Sequence, residues 1–182
     1  MKNIILLLLS CLLVVSPLCT AEDTGDAKAA AVDAASLKKA EAWCKKMLDC
    51  EKKTVAAVKK IKDMGLRTVL ATNPLFPSLA TEHRIRWAGF ELDDFEFFTT
   101  YENSRSCKPN PKYYLEVLER AGARPEESLM VGNDVQEDMI AETLGMKVFL
   151  LPKMLINRDG TDISRYPHGD FDDLVEYIER IR

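Results

Sequence analysis

The sequence predicts an α/β domain: a mostly parallel sheet with helices on both faces. Three observations carry this. Short β-rich apolar runs alternate with amphipathic stretches along the chain, the pattern that leaves helices packed on a parallel sheet. A glycine closes most of the helical stretches, at Gly65, Gly89, Gly122 and Gly145. The 182 residues are 47% apolar and 30% charged, which suits one folded domain with a real core and at most a tail.

The first 21 residues read as a targeting segment. Lys2 is followed by an apolar run from Ile4 to Val15, then Pro17 and the small-residue exit Cys19-Thr20-Ala21. These are the parts of a secretory signal, so the expectation is a cleaved leader (1–21) and a secreted or extracytoplasmic chain, with a cytoplasmic location as the alternative. The run is too short for a comfortable membrane span. Residues 22–36 are mostly Ala and Asp, with Thr24, Gly25 and Lys28 and little apolar bulk, and read as a linker, which leaves 37–182 as the domain.

Helical spacing from Leu37 to about Met64 predicts the first helix. Leu66–Ala71 is a strand closed by Thr72-Asn73-Pro74, and Ser78–Ala88 is a helix. Phe95–Thr100 reads as a second strand. Lys112–Ala121 is an amphipathic helix, Ser128–Val131 a third strand, Gln136–Leu144 a helix, Met146–Leu151 a fourth strand and Asp170–Arg182 a closing helix.

Lys and Arg total 25 against 29 Asp and Glu, with two His. The net charge of −4 argues against nucleic-acid binding driven by bulk charge, and two His exclude a multi-His metal site. Five Cys at irregular spacing make no disulfide scaffold.

In a parallel α/β sheet, ligands bind beyond the carboxyl ends of the strands. Three polar clusters fall there: Thr72-Asn73, Lys108-Pro109, and Asp134 to Asp138. A hydroxyl with backbone amides, a lysine and two carboxylates suit phosphoryl transfer. The first two elements take up phosphoryl charge, and the carboxylates suit Mg²⁺, a hard cation that prefers oxygen.

From about Lys53 onward the chain resembles the haloacid dehalogenase-like (HAD) superfamily of phosphohydrolases. Thr68-Val69-Leu70-Ala71-Thr72-Asn73 resembles its second motif, Cys107-Lys108-Pro109-Asn110-Pro111 its third, and Leu129 to Asp138 its fourth, with two Asp four apart. The resemblance implies a Rossmann-like HAD core and Mg²⁺-dependent hydrolysis of a small phosphoester. It also implies Thr72, Asn73 and Lys108 as catalytic residues and Asp134 and Asp138 as metal ligands. The set should converge at one edge of the sheet.

The family's first motif, an apolar strand ending in Asp-x-Asp, supplies the nucleophile and a general acid/base. No such segment precedes Thr72. Asp170-Phe171-Asp172 and Asn157-Arg158-Asp159-Gly160-Thr161 imitate it, but read as a helix cap and a turn. The expectation is therefore a truncated or degenerate member that lacks its central first strand, with a weakened Mg²⁺ site and impaired catalysis. The alternatives are a non-catalytic fragment of the fold and a secreted phosphate- or anion-binding protein. A competing reading places Ile4–Leu9 between Leu66–Ala71 and Ser128–Val131 as a degenerate first strand. Leu-rich composition and the apolar continuation to Val15 favour the leader, which would stand apart as a helix.

Overall fold

The structure, a computed structural model, describes residues 4–7, 38 and 52–182. Four strands form one sheet: β1 (Ile4–Leu7), β2 (Arg67–Leu70), β3 (Ser128–Gly132) and β4 (Lys147–Leu150), in the order β2-β1-β3-β4. Every pairing is parallel.

The expected gap at the centre of the sheet is not there. Ile4–Leu7 fills it, pairing with Arg67–Leu70 on one side and Ser128–Val131 on the other, in register with both. This corrects both the missing first strand and the leader standing apart as a helix. The physical reason is that a central parallel strand is covered on both faces and is written as a continuous apolar run. Ile-Ile-Leu-Leu meets that demand as well as it meets a signal's. The rest of the proposed leader and the linker lie outside the described residues.

Side chains of the other strands alternate between two cores, as the period of two requires. Leu70, Leu129, Val131 and Phe149 pack on one face against α1 (residues 52–63) and α4 (Phe171–Ile181), with Ile85 of α2 (Ser78–Trp87) in the same cluster. Val69, Met130, Val148 and Leu150 pack on the other face against α3 (Pro111–Ala121). This is the helix-on-both-faces arrangement that the sequence predicts. Asn110 caps α3 by accepting from the Lys112 amide, and Gly122 ends it in the left-handed conformation (φ 58°). Asp170 caps α4 by accepting from the amides of Asp172 and Asp173, so Asp170-Phe171-Asp172 is a helix start, as read.

Two elements differ from expectation. Phe95–Thr100 is not a full strand: it runs beside β2 with a single bridge, Leu70 to Phe98, and the bonds Glu96 N to Thr68 O and Thr99 N to Leu70 O. Gln136–Leu144 is not an α-helix but a turn followed by a 3-10 helix, Met139–Leu144. Here carboxylates claim the amides: Asp134 Oδ1 accepts from Gln136 and Glu137, and Asp138 Oδ2 reaches back to the amides of Asn133 and Asp134. Such local bonds compete with a helical ladder. Among the described residues no helix is long and apolar enough to cross a membrane.

Candidate active site at the carboxyl edge of the sheet

Thr72 and Asn73 follow β2, and Asn133 to Asp138 follow β3, so both groups lie at the carboxyl edge on either side of β1's line. Asn73 Nδ2 reaches Glu137 Oε2 at 3.4 Å and ties the two together. Asn73 Oδ1 is buried with no partner among the described residues. The Thr72 carbonyl accepts from the hydroxyls of Thr99 (2.6 Å) and Tyr113 (2.7 Å), so α3 and the segment beside β2 fix the turn. The expectation that Thr72, Lys108, Asp134 and Asp138 share one edge matches this geometry.

Lys108 comes from the loop before α3. Its ammonium lies wholly inside, 2.8 Å from Asp138 Oδ1 and over the rings of Tyr113 and Tyr114 at 5.7 and 5.8 Å. Burial pushes the Lys108 ammonium below the usual lysine range and the Asp138 carboxyl above the usual carboxylate range. Each is opposed by the charge of the other. Asp138 spends its second oxygen on the amides of Asn133 and Asp134 at 3.1 and 2.9 Å. In this arrangement it holds Lys108 and the β3 turn.

Gly132 is what allows that turn. A Cβ there would lie 2.1 Å from Asp138 Oδ2 and 2.4 Å from its Cγ. Asp138 is buried and bonded at both oxygens, so it cannot swing aside cheaply. Gly132→Ala is expected to lower stability by about 1–3 kcal/mol, the usual cost of overpacking. A urea midpoint equal to the wild type's would show that the turn can shift.

Asp134 is nearly buried, with a side chain 4% exposed. Arg158, from the turn after β4, places Nη1 3.2 Å from Asp134 Oδ1 and 2.9 Å from Oδ2, and Nη2 3.6 Å from Glu137 Oε1. Burial and the neighbouring Asp134 charge push the Glu137 carboxyl upward. The expected turn at Asn157–Thr161 is present, closed by Asn157 Nδ2 to Thr161 O and Thr161 N to Asn157 Oδ1. Sequence reasoning missed Tyr113, Tyr114, Thr99, Glu137 and Arg158. Glu137 lies inside the fourth motif and Arg158 inside the discounted imitation of the first, so both were in view without a signal for their role.

A parallel sheet covered on both faces, with a Thr turn, a buried Lys–Asp pair and a second Asp at its carboxyl edge, defines a phosphohydrolase-like α/β core. A family model for haloacid dehalogenase-like hydrolases matches residues 21–141, and the chain belongs to that family. The phospholysine phosphohistidine inorganic pyrophosphate phosphatase of Xenopus laevis is 42% identical over 45 residues, 24% of this chain and 17% of that protein. The glyceraldehyde 3-phosphate phosphatase of Methanothermobacter thermautotrophicus is 35% identical over 65 residues, 31% of this chain and 29% of that protein. The matched stretch therefore spans less than a third of either relative. The fold is shared with an uncharacterized protein from Listeria monocytogenes serotype 4b, with a TM-score of 0.61, 18% identity, and coverage of 71% of this chain and 79% of that one.

The residues present do not, as arranged, fit Mg²⁺. Arg158 takes up both oxygens of Asp134, while Lys108 and two amides take up Asp138. No carboxylate occurs in the sequence between β1 and Glu22. Among the described residues no group of three His, Cys, Asp or Glu is placed to hold a metal.

Proposed function

We propose that this chain is a phosphatase-type member of its family that recognises small phosphorylated compounds at the carboxyl edge but turns them over poorly. The observation that carries this is the sequence after β1. The strand occupies the central place in the sheet, and Leu8-Leu9-Ser10-Cys11 follow it where the family's nucleophile and acid/base carboxylates are expected. Without a nucleophile there is no covalent intermediate to divide the reaction into two easier steps. The remaining groups support binding: the Thr72 turn and backbone amides as donors to phosphoryl oxygens, and Lys108 as buried positive charge anchored by Asp138. The two relatives carry phosphatase names, one for phosphoramidates and pyrophosphate and one for a phosphoester, which supports phosphorylated compounds as the ligand class. The expected result is hydrolysis of p-nitrophenyl phosphate, with added Mg²⁺, no faster than by Asp134→Ala. A Mg²⁺-dependent rate that disappears in Asp134→Ala would overturn the impairment and mean that another group attacks.

For location, we infer that the N-terminus is retained rather than cleaved after Ala21. Ile4–Leu7 pairs on both sides within the sheet, which supports a strand over an export signal. Export, suggested by Lys2, the apolar run and the Ala21 exit, is the competing reading.

A further inference from the structure

We propose that Arg158 is the resident cation of this site and keeps divalent metal off Asp134. The inference rests on reading Asp134 as the carboxylate that faces a cation. A guanidinium is permanently charged, and Arg158 sets its own between two carboxylates, with both Asp134 oxygens within 3.2 Å of Nη1 and Glu137 Oε1 3.6 Å from Nη2.

The ion pair is built in rather than a casual surface contact. The Arg158 side chain is 54% exposed, and a pair that exposed is ordinarily weak because ordering two long side chains costs entropy. Here the backbone has already met much of that cost. Ile156 bridges to Asp134 in parallel fashion, with Ile156 N to Asn133 O and Val135 N to Ile156 O both at 2.9 Å. Asn133 Nδ2 bonds Met154 O at 2.6 Å, and the Arg158 amide bonds Gln136 Oε1 at 3.0 Å. The segment 154–158 is thus stitched to the end of β3, and its arginine is delivered onto Asp134. The partner carboxylate is nearly buried, so solvent screens the pair on one side only.

Mg²⁺ requires direct oxygen ligands at about 2.0–2.1 Å in near-octahedral geometry. It must compete for Asp134 with a guanidinium already in contact with both oxygens, and the two positive charges repel. Removing Arg158 leaves Asp134 Oδ2 without its cation while Oδ1 keeps the amides of Gln136 and Glu137, and Glu137, which accepts from Asn73 Nδ2 at 3.4 Å, and the unpartnered Asn73 Oδ1 are further hard oxygens at the same edge.

The test is titration of the full-length chain with Mn²⁺ alone, followed by electron paramagnetic resonance, with no substrate present. Arg158→Ala and Arg158→Gln are each expected to bind Mn²⁺ roughly tenfold or more tighter than wild type, the effect of removing one like charge a few ångströms away. Arg158→Lys should stay near wild type. Adding Asp134→Asn to Arg158→Ala should abolish the gain. The same affinity in wild type and both neutral variants, including no binding in any, would overturn the proposal. So would a gain that survives Asp134→Asn. Because the readout is metal binding, the outcome is independent of whether the chain hydrolyses phosphoesters.

Discussion

A chain that begins at Glu22 is expected not to fold. In the full sequence Ile4–Leu7 lies between β2 and β3, matched residue for residue with Arg67–Leu70 and with Ser128–Val131. Removing it leaves β2 and β3 two strand spacings apart, about 10 Å, too far to bond each other. The backbone groups of both strands that faced β1 are then buried and unpaired, at about 1–3 kcal/mol for each lost partner. Several such losses exceed the roughly 5–15 kcal/mol that holds a domain of this size together. Circular dichroism and size exclusion of residues 22–182 should show an expanded chain without a cooperative melt. A sharp thermal transition in that chain would sink the assignment of β1 as an integral strand, and would restore the leader that the sequence alone suggests.

That contrast shows where the sequence was readable and where it was not. β2, β3 and β4 were legible as short apolar runs, and α3 and α4 by an apolar rhythm of 3.6 with a stop or cap of their own, such as Gly122 after α3 and Asp170 before α4, while α2 was legible by the Gly89 that follows it. β1 was not, because a signal's apolar core and a central parallel strand are written in the same residues. Nothing local separates them, and the deciding partners lie more than 60 positions away. The edge segment at Phe95–Thr100 and the turn after β3 were misread for another reason. Their backbone bonds are settled by tertiary neighbours and by the carboxylates of Asp134 and Asp138, which rhythm does not record. In the site, Thr72, Lys108, Asp134 and Asp138 were legible as a joint spacing. What each carboxylate faces was not: Arg158 arrives from a turn that sequence alone reads only as a turn.

Breaking the buried Lys108–Asp138 pair from either side is expected to cost about 3–5 kcal/mol, because it strands an uncompensated charge in the interior. Both side chains are wholly inside and 2.8 Å apart. The two single variants should differ in the sign of their pH dependence. In Asp138→Asn, Lys108 remains buried without its carboxylate, and burial already pushes its ammonium below the usual lysine range. The folded state then binds fewer protons than the unfolded one, so stability rises with pH from the lowered folded value up to the ordinary lysine value near 10.4. In Lys108→Met, Asp138 is left alone, and burial pushes its carboxyl upward. The folded state binds more protons than the unfolded one, so that contribution is complete below the ordinary aspartate value of about 3.9 and is lost as pH rises through the raised folded value. The double variant Lys108→Met/Asp138→Asn, with no charge left to strand, should recover part of the loss, although the amides of Asn133 and Asp134 then bond a weaker acceptor. Urea titrations of the four proteins between pH 5 and 10 would measure this. Parallel pH slopes in the two single variants, or a double variant whose loss equals the sum of the two, would show that Lys108 and Asp138 do not act as a pair.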